Sequence, residues 1–206
     1  MKTNEHIKIE ETMQSNETTR RVKECMIQSS PFEQVDRYIS NVSKSICKIK
    51  IITNIGTIFG TGFLLKEYIV QELFYCLMTN EHVITKEMIN QKIKIDIYYD
   101  SQSKFRNIEL NTEERLIKEF TDIKMDITVI EIISKDEISK EYFLLPLIDY
   151  MNNYNQLIKK EISIIQYPKG EMKYSYGKIN SYEPEYEFSH NANTDEGTSG
   201  SPIFLK

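Results

Sequence analysis

Asn193-Thr194-Asp195-Glu196-Gly197-Thr198-Ser199-Gly200-Ser201-Pro202-Ile203-Phe204 sets a serine between two glycines, shortly before a proline. Gly197 and Gly200 can take backbone angles closed to other residues. Pro202 stiffens the exit and forbids a helix through it. The expected product is a tight turn that presents one hydroxyl beside several bare N–H groups. Acyl transfer needs that arrangement: a nucleophile, and backbone donors for the oxyanion it creates. Taken alone, the segment also fits an ordinary Gly/Ser turn.

Two further stretches decide between those alternatives. Leu77-Met78-Thr79-Asn80-Glu81-His82-Val83-Ile84 reads as a strand ending in a histidine. Met125-Asp126-Ile127-Thr128-Val129-Ile130-Glu131-Ile132 reads as a strand that opens with a carboxylate. The order His82, Asp126, Ser199 is the chain order of the chymotrypsin-type triad, not of subtilisin or the α/β-hydrolases. Gly60-Thr61-Gly62-Phe63-Leu64-Leu65, Tyr167-Pro168-Lys169-Gly170 and Tyr176-Gly177-Lys178-Ile179 are three more segments in register with that order. On these motifs the sequence resembles the trypsin-like serine peptidase superfamily from about Ser43 to Phe204. Gly-Thr-Ser-Gly-Ser-Pro, with Ser201 where digestive trypsins carry glycine, is most similar to the glutamyl-endopeptidase (V8-like) branch.

The resemblance implies roles. His82 is the general base, Asp126 orients it, and Ser199 is the nucleophile. The N–H groups of Gly197 and Ser199 form the oxyanion hole. Asn193, Thr194 and Glu196 lie where the primary substrate pocket begins. No aspartate stands at the pocket base, which argues against cleavage after Lys or Arg and for an acidic or polar residue there. His190 is the rival base and Asp122 the rival carboxylate. Two departures stand out. Thr198 occupies the place of the aspartate that digestive enzymes use in activation. The chain also ends at Lys206, where the family continues with two more strands.

Composition fits this reading. The 206 residues have room for one or two small domains with a real core, and the hydrophobic fraction is an ordinary 40%. A net charge of −5 gives no pull toward nucleic acid or anionic membrane. No apolar run approaches the ~20 residues that span a bilayer. The opening is polar, without the apolar core of a signal peptide. Three cysteines (Cys25, Cys47 and Cys76) make no disulfide framework. Val83 stands where secreted trypsins place a cysteine. The expected location is therefore cytoplasmic. His6, His82 and His190 have no partners at zinc-ligand spacing, so neither metal nor cofactor is expected.

The pattern along the chain predicts a mostly β protein of two antiparallel, six-stranded-type barrels, chymotrypsin-like, with the second incomplete at its C-terminus. Residues 1–42 are a polar tail and a short helix, capped by Ser30-Pro31-Phe32-Glu33 with Ile39 and Val42 on its apolar stripe. Residues 43–133 form the first barrel and carry His82 and Asp126. Its strands are expected near Ile46–Ile52, Gly60–Leu65, Phe74–Thr79, Lys92–Tyr99, Glu114–Phe120 and Asp126–Ile133, with a turn at Gly56–Phe59. Residues 134–146 connect it to the second barrel, 147–206, which carries Ser199. Its strands are expected at Ile158–Gln166, Lys173–Ser181, Tyr186–Ser189 and Ser201–Leu205. The expected function is a serine endopeptidase acting on protein or peptide substrates through an acyl-enzyme; the sequence leaves oligomeric state open. The alternatives are an inactive protease-like domain that binds peptides or proteins, and the N-terminal fragment of a larger multidomain peptidase.

Overall fold

The computed structural model describes residues 37–54, 56–69, 72–120, 125–146, 154–183 and 187–205. The predicted cap at Ser30–Glu33, His6, Cys25 and the rival carboxylate Asp122 lie outside them. The described end of the helix, α1 (Arg37–Val42), buries Ile39 and Val42 as its stripe requires.

Seven strands follow: β1 (Ile46–Thr53), β2 (Gly56–Ile69), β3 (Glu72–Thr79), β4 (Lys94–Tyr99), β5 (Lys104–Glu109), β6 (Ile117–Glu119) and β7 (Thr128–Glu131). A short helix, α2 (Lys86–Asn90), stands between β3 and β4; the Thr85 hydroxyl caps it by accepting the Met88 N–H. The strands form one curled antiparallel sheet in the order β5-β4-β1-β2-β3-β7-β6. Alternation explains its core. In β4 the pattern Ile95, Ile97, Tyr99 points inward and Lys94, Asp96, Tyr98 outward. Ile49, Ile51, Leu64, Leu77, Ile108 and Ile130 meet those residues in a continuous apolar cluster.

Three expectations are corrected here. β5 was missed; of its six residues only Ile108 is buried, so no strand alternation shows in Lys104–Glu109. Gly56–Phe59 is not a turn but the start of the long β2, because Gly56 to Phe59 pair with Thr53 to Lys50. Among the described residues the first barrel is a curled half-barrel, its sheet not closed by backbone pairing, since β5 and β6 are its two edges. Side chains link those edges instead. Arg106 of β5 donates to the carbonyls of Asp136 and Glu137 at 2.8 and 3.1 Å. Arg115, just before β6, makes a two-pronged buried ion pair with the Asp136 carboxylate at 2.7 and 2.9 Å. A forked guanidinium is the side chain suited to such a bidentate contact.

The second sheet has the order β10-β9-β8-β11, from β8 (Glu161–Gln166), β9 (Lys173–Glu183), β10 (Glu187–His190) and β11 (Ile203–Leu205). It matches the expected second set of strands within a few residues. Ile162, Ile164, Ile179, Leu157 and Ala192 make its small core. A third cluster joins the sheets: Ile165 and Tyr167 pack with Ile39, Val42 and Ile46. The molecule is thus mostly β, with a curled sheet and a second sheet, as a chymotrypsin-like fold requires. Among the described residues no helix is long and apolar enough to cross a membrane.

Candidate functional site

Ser199, His82 and Asp126 all lie in loops at strand ends. β3 stops at Thr79, so His82 belongs to the following turn and not to the strand. That turn is tight: the N–H groups of Val83 and Ile84 both donate to the Asn80 carbonyl at 3.2 Å. Val83 and Ile84 are buried, and Val83 fills the space that a side chain on Gly60 would need. With its neighbours pinned inward, the His82 side chain projects outward and stays 57% exposed.

Asp126 likewise precedes its strand, by two residues. Its Oδ2 lies 2.5 Å from His82 Nδ1, and its Oδ1 accepts the His82 backbone N–H at 3.0 Å. Asn80 Nδ2 donates to the Asp126 carbonyl at 2.6 Å. The carboxylate therefore holds both the ring and the backbone of one residue. Its hydrogen bond to the ring is the main force raising the His82 pKa above its ordinary value, outweighing the opposing effect of burial. Burial is the largest single influence on Asp126 and pushes its carboxyl up. The His82 ring and the backbone N–H groups of His82 and Glu81 together bring it below its ordinary value. With Nδ1 engaged, Nε2 is the His82 nitrogen left to face a substrate or a nucleophile.

The nucleophile turn has the expected form. Gly197 and Gly200 have φ of +91° and +88°. A Cβ on Gly200 would lie 2.0 Å from the Thr61 carbonyl oxygen, and one on Gly197 2.8 Å from that of Tyr167. Only glycine fits either place. Thr198 N–H donates to Asp195 O, and Ser201 N–H and hydroxyl to Thr198 O, which closes the turn around Ser199. The N–H groups of Gly197 and Ser199 donate to nothing among the described residues. Ser199 is half-buried. Its hydroxyl is bonded neither to His82 nor to Asp126 in this structure.

The other candidates fall around this turn. Glu196 is exposed, and its carbonyl accepts the Lys169 N–H at 2.9 Å. Asn193 and Thr194 are half-buried, and Gln166 Nε2 donates to the Asn193 carbonyl at 3.0 Å. The Tyr167–Gly170 segment thus buttresses the turn. The rival His190 ends β10 and pairs with Ile179. Burial pushes its pKa down, outweighing a backbone hydrogen bond with Ala192, and among the described residues no carboxylate bonds to its ring. Asn80 and Thr61 were missed as site residues. Thr61 was visible only as part of a motif, and Asn80 only as a residue two before the histidine. Among the described residues no group of three His, Cys, Asp or Glu could hold a metal ion.

A family model described as "Trypsin-like peptidase domain" matches residues 60–206. Among solved structures, the chain is similar to the serine endoprotease from Yersinia pestis, with a TM-score of 0.58 and 14% identity over 84% of this chain and 55% of that one. It is similar to Deg5, with a TM-score of 0.55 and 20% identity over 80% of this chain and 76% of that one. At these identities the likeness is one of fold. The chain spans about half the length of the Yersinia protein. No curated protein sequence matches it.

Proposed function

The chain belongs to the trypsin-like peptidase family, and from that premise we propose that it is a serine endopeptidase in which His82, Asp126 and Ser199 act together. The observation that carries this is the contact of Asp126 with both the ring and the backbone of His82. Asp126 fixes the tautomer with the proton on Nδ1 and leaves Nε2 unprotonated to take the Ser199 proton. As Ser199 Oγ attacks the scissile carbonyl, that proton passes to His82, and the imidazolium returns it to the leaving amine. Water then repeats the cycle on the acyl-enzyme, and the acid leaves. The free N–H groups of Gly197 and Ser199 supply donors for the oxyanion of both tetrahedral intermediates. That Ser199 and His82 share no hydrogen bond here is compatible with this, since catalytic hydrogen bonds often form only around substrate.

The substrates are proteins or peptides. Thr194 and the resemblance to the glutamyl-endopeptidase branch favour an acidic or polar residue before the cleaved bond. The buried free thiols of Cys47 and Cys76 favour a reducing, cytoplasmic setting. A mixed peptide library, incubated with the protein and with its Ser199→Ala variant, tests the reading. The expected result is cleavage by the first alone, after acidic or polar residues. Cleavage after Lys or Arg overturns the specificity, and equal cleavage by both chains overturns the assignment of Ser199.

A further inference from the structure

The first sheet holds no part of the nucleophile turn, yet the turn is tied to it through one residue. Thr61 of β2 is fully buried, and four hydrogen bonds engage its polar groups. Its backbone N–H donates to the Ser199 carbonyl at 2.9 Å. Its hydroxyl donates to the Gly197 carbonyl at 2.9 Å and accepts the Tyr167 N–H at 3.0 Å. Its carbonyl accepts the Thr79 hydroxyl at 2.7 Å.

Thr79 is the last residue of β3, three before His82, and it pairs with Thr128, two after Asp126. The Thr128 hydroxyl donates in turn to the Ile84 carbonyl at 2.9 Å, at the far end of the His82 turn. Thr61, Thr79 and Thr128 are all buried. They make a continuous polar chain that touches all three segments on which the proposed chemistry depends.

We propose that Thr61 is a positioning residue: its hydroxyl and N–H set the orientation of the Gly197–Ser199 turn, and through it of the two N–H groups that receive the oxyanion. The role of those N–H groups rests on the peptidase reading above; the placement of the turn by Thr61 does not. The physical reason is that peptide units are rigid: the Gly197 carbonyl fixes the unit it shares with the Thr198 N–H, the Ser199 carbonyl fixes the unit it shares with the Gly200 N–H, and the Ser199 N–H belongs to the single unit held between those two, with the Gly197 N–H in the unit just before the first. Valine at position 61 has the shape of threonine but no hydroxyl. It would leave the buried Gly197 carbonyl and Tyr167 N–H without their partner, and both would shift to find another. Displacing reacting groups by about 1 Å costs on the order of 100-fold in rate.

Thr61→Val, Thr61→Ala and Thr61→Ser decide this with two readouts. In the amide NMR spectrum, the Gly197 and Ser199 N–H resonances move in the valine and alanine variants and return toward their original positions in the serine variant. That result is expected whether or not the chain cleaves peptides. In peptide hydrolysis, kcat falls roughly 10- to 100-fold in the valine and alanine variants, with KM little changed, and recovers in the serine variant. Unmoved Gly197 and Ser199 resonances in both hydroxyl-less variants overturn the proposal. So does a serine variant that behaves like the valine one, or loss of the folded state in both the valine and alanine variants, which would make the hydroxyl a general requirement of folding. Moved resonances in a parent chain that hydrolyses nothing leave Thr61 in place and reject the peptidase reading instead.

Discussion

The seven-stranded and the four-stranded sheet satisfy their buried groups to different degrees. In the first, Thr61, Thr79 and Thr128 all find hydrogen-bond partners, and Arg115 and Asp136 find each other, with Arg115 Nε the one atom there buried without a partner among the described residues. In the second, Gln166 Oε1, Ser175 Oγ and His190 Nδ1 are buried with no partner among the described residues. Its apolar core is also the smaller. The nucleophile turn is anchored from both sides: Thr61 of the first sheet holds the Gly197 and Ser199 carbonyls, while Gln166 and Lys169, at the end of β8 and just after it, hold those of Asn193 and Glu196. A catalytic serine needs its position fixed to fractions of an ångström. On the proposed role of Thr61, the first sheet adds two fixed contacts to the segment that carries Ser199.

Four changes sharpen or break this comparison. The largest effect is expected at Asp126→Asn, which keeps the contact geometry but favours the wrong His82 tautomer. Turnover should fall by about 10⁴-fold, with the circular dichroism of both sheets unchanged. An unchanged rate would move the orienting role to another carboxylate, of which Asp122 is the nearest in sequence.

Next comes Arg115→Met. It strands the Asp136 carboxylate in the interior and should destabilise the chain by ~3–5 kcal/mol in denaturant titration. Amide exchange should then speed up in both sheets, because the second depends on the first. Acceleration confined to β5, β6 and β7 would show that the sheets are energetically separate.

Leu77→Ala and Ile164→Ala remove comparable side chains from the two cores. Both should fall within the ~2–5 kcal/mol typical of such truncations, Leu77 toward the top and Ile164 toward the bottom, because the smaller core can relax around the lost volume. The reverse order in thermal or denaturant unfolding would contradict the comparison.

The smallest effect is on pH dependence. The His82 pKa is raised, first by its hydrogen bond to Asp126. Peptide hydrolysis should therefore rise with pH as His82 deprotonates, with a midpoint above the ordinary histidine value of 6.5. In stability the same shift has the opposite sense. A raised pKa contributes stability that is present below 6.5 and lost as pH rises through the folded value. Asp126→Asn should bring the hydrolysis midpoint down; a midpoint that stays put would separate His82 from Asp126.

The sequence made the site more legible than the framework. The turn around Ser199, with its two glycines, could be read because a positive φ leaves a mark in one residue type. The His82–Asp126 contact could be expected from chain order and motif. β5 could not, since Lys104-Phe105-Arg106-Asn107-Ile108-Glu109 carries too little apolar alternation to read as a strand. The start of β2 was hidden because Gly56 looks like turn punctuation, whereas it pairs with Thr53 inside the strand. The role of Thr61 had no local signal at all. Its partner Gly197 is 136 residues away, and a buried threonine is recognisable only once both ends of that contact are placed.

The central claim, that Ser199 is activated by His82, is tested most directly by mapping a fluorophosphonate adduct by mass spectrometry. The account predicts one adduct, on the peptide containing Ser199 and on that residue, which disappears in His82→Ala and persists in His190→Ala. An adduct on Ser201 or elsewhere, or one that persists without His82, would contradict it.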